Sequence, residues 1–131
     1  MNLMILEIYN ALKANPSITD FLSESQIKMY QSEEDLDKTK PFIQIIPVGP
    51  STNAYFGGDA TLSKQFTYQI NVESKELTVT KEISHAVQGA LWEIGFGQLP
   101  GGLDEYFDET KRFVEAKRYR KNTNINDVAY Y

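Results

Sequence analysis

The sequence predicts an α+β fold in which two main helices pack on one face of a four-stranded, mixed but largely antiparallel sheet. Apolar and polar residues alternate strictly over positions 65–72, which is typical of a strand with one buried and one solvent-facing side. Apolar residues recur at spacings of three and four over positions 79–94, which is typical of an amphipathic helix. The length of 131 residues suits one domain, so the whole chain is expected to fold as a single unit.

The first half of the chain is predicted to contain one helix and two strands. The helix is expected over positions 3–14 and is ended by Pro16, because a proline disfavours helical geometry in the residue before it. A short alternating strand is expected over 27–29, and an apolar, β-branched strand over 41–48. The segment 49–63 is rich in turn-forming residues and is predicted to be a long loop.

The second half is predicted to contain a strand, a helix and a last strand. The alternating strand is followed by the helix at 79–94, which Gly95 closes in a left-handed cap. Positions 95–102 are expected to be a loop, and 112–121 to form the last strand. Residues 122–131 are expected to be a polar C-terminal tail. The predicted element order is therefore α-β-β-β-α-β.

The composition narrows the class of protein. A net charge of −5 disfavours a general nucleic-acid binder, because binding to phosphates needs a positive field. The absence of cysteine excludes a disulfide framework, a thiolate zinc site and a cysteine nucleophile, and it favours an intracellular origin. The N-terminal residues lack a basic leader and a cleavage site, so a signal peptide is not expected. No stretch approaches the roughly 18 apolar residues that a membrane span needs.

A catalytic, metal or cofactor site is not expected. His85 is the only histidine and lies off the apolar stripe of its helix, so it is predicted to be solvated rather than a general base or a metal ligand. The glycine-rich segment 95–102 follows a helix instead of preceding one, which favours a helix cap and a turn over a phosphate cradle. A cluster of carboxylates beside the next turn is expected to be solvated surface: Asp104, Glu105, Asp108 and Glu109. The chain is therefore expected not to be an enzyme.

Two blocks of opposite charge are the leading candidates for contact surfaces. The basic block lies in the last strand, and its candidate residues are Arg112, Lys117, Arg118 and Arg120. The acidic block lies in the loop before the second strand, and its candidate residues are Glu33, Glu34 and Asp35. The basic strand could bind nucleic acid or an acidic surface on an identical subunit, and the negative overall charge favours the subunit. Opposed blocks suit head-to-tail association, which closes into a ring when the rotation allows.

An aromatic pair in the segment 49–63 is a further candidate contact. Tyr55 and Phe56 stand beside two glycines, which is typical of a contact arm that becomes ordered on binding. The alternative, that the two rings fold back over the edge of the core, stays equally open.

Several segments together carry a resemblance to a known family. They are the leading helix ILEIYNALKANPSITDFL, the strand PFIQIIP, the aromatic strand QFTYQINVES, the helix KEISHAVQGALWEIGF and the basic strand RFVEAKRYR. In order and length they resemble the tail-terminator, or tail-to-head joining, proteins of long-tailed bacteriophages and prophages. The similarity covers about residues 3–120 and includes no invariant motif.

The resemblance implies a structural role. Members of this family form a ring, typically a hexamer, on the last ring of tail-tube protein, where it stops tube polymerisation and presents a surface to head-completion proteins. The resemblance further implies no catalytic residues, assembly in the host bacterial cytoplasm, a final place in the virion at the head–tail interface, and DNA only in transit through the channel. Two alternatives remain open: a head-completion or stopper subunit, and a small nucleic-acid-binding regulator that uses the strand at 112–121.

Overall fold

The structure, a computed structural model, describes residues 2–30, 36–57, 60–124 and 129–131, and the side chains of residues 54–62 lie outside the description. Three α-helices are present in these ranges: α1 (Met4–Lys13), α2 (Pro16–Thr19) and α3 (Leu77–Glu93). The strands are β1 (Ile27–Met29), β2 (Phe42–Pro47), β3 (Thr52–Gly57), β4 (Ala60–Ser74), β5 (Gly97–Gln98), β6 (Leu103–Phe107) and β7 (Arg112–Asn122).

The fold is α+β as predicted, but the predicted four-stranded sheet with two main helices is wrong. The sheet has seven strands in the described part of the chain, and α2 is a third helix, capped by the side chain of Asn15, which accepts a hydrogen bond from the backbone of Ser17 at 2.9 Å. The additional strands β3, β5 and β6 lie in segments predicted to be loops or solvated turns. They form because each of them pairs with one of the two long strands β4 and β7.

The two longest strands lie at the centre of the sheet. The strand order is β1-β2-β4-β7-β5, with β3 on β4 and β6 on β7. Only the pair of β1 and β2 is parallel, and the other described pairs are antiparallel. The pairing of β4 with β7 runs over ten residue pairs, from Gln65↔Asn122 to Ser74↔Phe113. This ladder fixes which side chains of each strand share a face, because directly paired residues point to the same side.

One face of the sheet carries the helices. The even-numbered residues of β4 from Phe66 to Val72 point to this face and form a core with apolar residues of α1 and α3. Met4, Ile8 and Leu12 contribute from α1, and Ile83, Val87 and Leu91 from α3. The helices predicted at 3–14 and 79–94 are therefore confirmed as α1 and α3. The other face, which we call the open face, carries Gln65, Thr67, Gln69 and Asn71 from the same strand.

The segment predicted as a long loop, 49–63, is for the most part a β-hairpin. Strand β2 leaves β4 after the pair Pro47↔Tyr68, and β3 pairs with β4 again from Thr52↔Gln65 to Gly57↔Ala60. Two register shifts interrupt this pairing. The hairpin extends past the end of the β4–β7 pairing at Gln65, so it projects beyond the main sheet.

The end of the predicted polar tail returns to the start of the chain. Tyr130 forms a parallel bridge with Asn2, and the backbone N–H of Tyr131 donates to the carbonyl of Asn2 at 2.7 Å. The Tyr130 hydroxyl donates to Glu7 of α1 at 2.9 Å. Lys64 at the base of the hairpin donates to the Tyr130 carbonyl at 3.3 Å and lies over the Tyr131 ring. The last residues thus join α1 to the hairpin.

Glycines set the two bends that bring β5 and β6 alongside β7. Gly95 has φ +94° just after α3, and the N–H of Phe96 donates back to Leu91 at 2.8 Å, which confirms the predicted left-handed cap. Gly102, at φ +111°, leads into β6, and a Cβ there would overlap the backbone carbonyl of Ala116 on β7. Gly101 has a similar φ of +91° but open space around it.

The two adjacent glycines make a matched test of that close approach. Gly101→Ala should destabilise the protein by about 1 kcal/mol, because a side chain is strained at positive φ. Gly102→Ala should cost at least about 3 kcal/mol, because β6 must also move away from β7. Urea unfolding of both variants measures the difference, and equal losses of stability would show that the β6–β7 contact does not constrain Gly102.

Candidate protein-interaction surfaces

The cations of the last strand do not form one continuous surface. Because side chains alternate along β7, Lys117 and Lys121 point to the helical face, and Arg118 and Arg120 point to the open face. Arg112 is an even-numbered residue of β7 like Arg118 and Arg120, so it belongs to the open face. It lies at the beginning of the strand, however, and is 4% exposed. The residues predicted together as a basic contact block are therefore divided among three environments.

Arg112 is a structural residue. Its guanidinium donates to the backbone carbonyls of Lys38 and Lys40, the second at 3.3 Å, and lies 4.7 Å from the centre of the Phe42 ring. Its Nε is 3.5 Å from a carboxylate oxygen of Glu73. Burial lowers the pKa of Arg112 and raises the pKa of Glu73, and their ion pair only partly offsets these shifts. Arg112 thus fixes the segment before β2 against the sheet.

Lys117 belongs to a charge cluster beneath α3. Buried Glu115 accepts hydrogen bonds from Lys81 at 2.7 Å and from Ser84 at 3.0 Å, both on α3, and Lys117 lies 3.0 Å away. Lys81 also binds Asp104 of β6. Burial alone would raise the pKa of Glu115, but the hydrogen bonds from Lys81, Lys117 and Ser84 outweigh it and lower this pKa. The cluster joins α3, β6 and β7.

Lys121 stabilises the end of α3. Its ammonium donates to the carbonyl of Ile94 at 2.7 Å, where the helix leaves carbonyl groups without partners. The same ammonium lies 5.9 Å from the centre of the Phe96 ring and 6.0 Å from that of Tyr130. Lys117 and Lys121 are therefore engaged within the chain.

Arg118 and Arg120 lie on the open face of the sheet. Both are exposed, and their Nε atoms donate to neutral side chains of β4: Arg118 to Gln69 at 3.2 Å and Arg120 to Thr67 at 3.3 Å. Among the residues that the structure describes, no carboxylate lies within ion-pair distance of either guanidinium. Beside them is a depression of about 330 Å³ whose lining includes Leu103, Val114 and Ala116.

The remaining predicted contact residues fall outside what the structure describes in full. Glu33, Glu34 and Asp35 lie outside the described residues. The backbone of Tyr55 and Phe56 forms part of β3, so these residues lie in a hairpin instead of a loop, and their side chains are outside the description. Whether the two rings make contacts stays a prediction.

Two of the four carboxylates that were expected beside a turn lie in a strand. Asp104 and Glu105 are in β6, and Asp108 and Glu109 follow in the turn to β7. All four are exposed. Asp104 nevertheless has a structural partner, Lys81, so it is not free surface charge.

A groove that carries charge lies between α2 and α3. It has a volume of about 930 Å³, and Asp20, Glu82, His85 and Glu93 line it. His85 is exposed, as the sequence predicted. Across the described ranges, no three His, Asp or Glu side chains are grouped so that they could hold a metal ion. This groove was not predicted from the sequence, because acidic residues on the polar face of a helix are usually only solvated.

An apolar cleft near the N-terminus was also not predicted. Exposed Leu3, Leu6, Tyr30 and Tyr131 line it, and its volume is about 740 Å³. Tyr30 has φ +63°, which is rare for an aromatic residue, and its backbone N–H donates to Ile45 at 2.8 Å. No helix in the described part of the chain is long and apolar enough to cross a membrane.

Comparison with known proteins reveals similarity at the level of structure. No protein-family model matches the chain, and no curated protein matches it. The chain is similar in structure to a chain from the virion of a native gene transfer agent (GTA) particle, with a TM-score of 0.64 and 13% sequence identity. The match covers 88% of this chain and 90% of that chain. At this identity, the likeness shows a shared fold along nearly the whole length.

Protonation of Glu115 and of Glu73 should change the stability of the fold in opposite directions. The lowered pKa of Glu115 means that its ion pairs stabilise the fold above its usual pKa of 4.5 and that this contribution is lost as the pH falls through the lowered pKa. Glu115→Gln should therefore cost about 2 kcal/mol at pH 7 and flatten the loss of stability below pH 4.5.

Glu73→Gln is the matched control for this measurement. Because burial raises the pKa of Glu73, its ionised form opposes folding at pH 7, and this cost disappears as the pH falls below the raised pKa. The variant should be slightly more stable than the natural chain at neutral pH. Urea unfolding between pH 3 and pH 8 (on the order of ten points) measures both profiles. Parallel profiles for the two variants would contradict these assignments.

Proposed function

We propose that the chain is a structural subunit of a phage-like particle, which assembles with copies of itself into a ring at the end of the tail tube. The ring stops tube polymerisation and presents a surface to the head-completion proteins. The observation that carries the proposal is the fold shared, over 88% of this chain, with a chain of a gene transfer agent virion. This likeness supports a virion component, and the resemblance of element order to tail terminators supports the position in the tail.

The distribution of charge favours self-association. Arg118 and Arg120 are exposed on the open face of the sheet, while Asp20, Glu82 and Glu93 line a groove on the helical side. Two different surfaces of opposite sign favour head-to-tail contacts, and repeated head-to-tail contacts generate a ring when the rotation closes.

The nucleic-acid alternative loses support from the division of the basic strand. A nucleic-acid surface needs several cations side by side, because affinity grows with the number of phosphates neutralised. Arg112 is buried, and Lys117 and Lys121 contact the chain's own carboxylate, carbonyl and aromatic groups. Arg118 and Arg120 alone are too few cations for stable binding to nucleic acid.

The ring is expected to form in the host bacterial cytoplasm and to remain in the virion at the head–tail interface. Its partners would be the tail-tube protein below and the head-completion protein above. The proposed role uses no catalytic residue, metal or cofactor.

Electron microscopy of purified chain mixed with tail tubes that lack a terminator tests the proposal. We expect a ring, six subunits in the hexameric case, at one end of each tube, and tubes of uniform length when the chain is present during assembly. Binding to DNA-filled heads but not to tubes would instead identify a head-completion subunit. The absence of binding to both particles would contradict the proposed function.

A further inference from the structure

The groove between α2 and α3 has three carboxylates without a cation partner. Asp20, Glu82 and Glu93 line it, and none lies within ion-pair distance of a cation among the residues that the structure describes. Lys81 also lines the groove, but its ammonium forms ion pairs with Glu115 and Asp104. The groove is therefore acidic, and because it is exposed and concave it can receive a cationic surface.

The open face of the sheet presents the complementary pair. Arg118 donates its Nε–H to Gln69, and Arg120 donates its Nε–H to Thr67. The terminal NH2 groups of both guanidinium groups can therefore bind carboxylates. The depression next to Arg118 is lined by apolar Leu103, Val114 and Ala116 together with polar Gln69 and Asn71. It therefore offers both apolar and hydrogen-bonding groups to a partner, as protein interfaces do.

The two surfaces belong to opposite layers of one chain. The groove lies on the helical side, and the arginines lie on the open face, so these charges cannot meet within one molecule. A second copy can bring them together by placing its α2–α3 layer on the open face of the first. Such a contact covers the face of the sheet that none of the described helices covers.

We propose that the α2–α3 groove of one copy binds the open face of the next copy, with Asp20, Glu82 and Glu93 facing Arg118 and Arg120. This inference deepens the proposed function and rests on it, because it names the subunit contact of the ring. The contact is heterologous: each copy contributes its groove to one neighbour and its arginines to the other.

Trp92 supplies the apolar anchor of this contact. It is the only tryptophan of the chain and is 73% exposed on the last turn of α3. It lies two turns beyond His85 on the same side of the helix, next to the groove. Tryptophan and arginine are the residues most often found at the energetic centre of interfaces, and an indole can stack on a guanidinium.

Charge reversal of the two surfaces tests the contact in the full chain. Arg118→Glu with Arg120→Glu makes both surfaces acidic, and Glu82→Lys with Glu93→Lys makes both basic. Each double variant should weaken self-association at least about tenfold, measured by sedimentation velocity at low salt. An equimolar mixture of the two should associate again, because each acidic groove now meets the arginines of the other variant. The quadruple variant should associate alone.

Two single reversals in the β6–β7 turn are matched controls. Glu109→Lys and Lys111→Glu change exposed charges that line neither surface, so association should stay within about twofold of the natural chain. The emission of Trp92 should shift to shorter wavelength as the natural chain associates and should not shift in either double variant.

The outcomes separate this inference from the proposed function. Association that survives both double reversals, or that neither the mixture nor the quadruple variant restores, would overturn the proposed contact while tube-end binding could still support the ring. A chain that stays monomeric at every concentration would also overturn it. Failure to bind tail tubes, with the charge-reversal rescue intact, would overturn the proposed function and leave the subunit contact standing.

Discussion

The antiparallel pairing of β4 with β7 determines the rest of the structure. Its ten residue pairs set the two faces of the sheet, and the helices cover the face that carries Phe66, Tyr68, Ile70 and Val72. The short strands β3, β5 and β6 pair only with β4 or β7. Because a shift of one residue would exchange all side chains between the faces, burial of this apolar row specifies the register of the whole sheet.

The same register gives the cations of β7 their different roles. Lys117 and Lys121 lie on the helical side, where they bind Glu115 and the carbonyl end of α3. Arg118 and Arg120 lie on the open face, away from the helices α1, α2 and α3. The fold thus uses some charges to hold its layers together and leaves others on the surface. The proposed self-association through opposite layers depends on that division.

The sequence predicted the features that depend on neighbouring residues. Helical spacing located α1 and α3, strict alternation located the core of β4, and Gly95 marked the end of α3. It missed β3 and β6, whose short runs have no strong alternation and form strands because a long partner lies beside them.

The roles of charged side chains were harder to predict than the elements. In the sequence, Arg112 and Arg118 look alike, because both are arginines of the same basic strand. Arg112 is nevertheless buried, because it binds the carbonyls of Lys38 and Lys40, more than 70 residues earlier in the chain. The carboxylates of the α2–α3 groove come together only when α2 packs beside α3. Alternation in β7 could have separated Lys117 from Arg118, because adjacent residues of a strand face opposite sides. The groups that each of these side chains contacts could be identified only from the three-dimensional structure.

The central claim is that opposite layers of two copies meet in a heterologous contact. The chain has no cysteine, so introduced thiols can report this contact without background. His85→Cys places one thiol in the groove, and Asn122→Cys places one on the exposed open face near Arg120. Under mild oxidation, we expect a disulfide-linked dimer when the two variants are mixed and little when either is alone. Efficient crosslinking of the His85→Cys variant to itself, or no crosslinking in the mixture, would contradict the account.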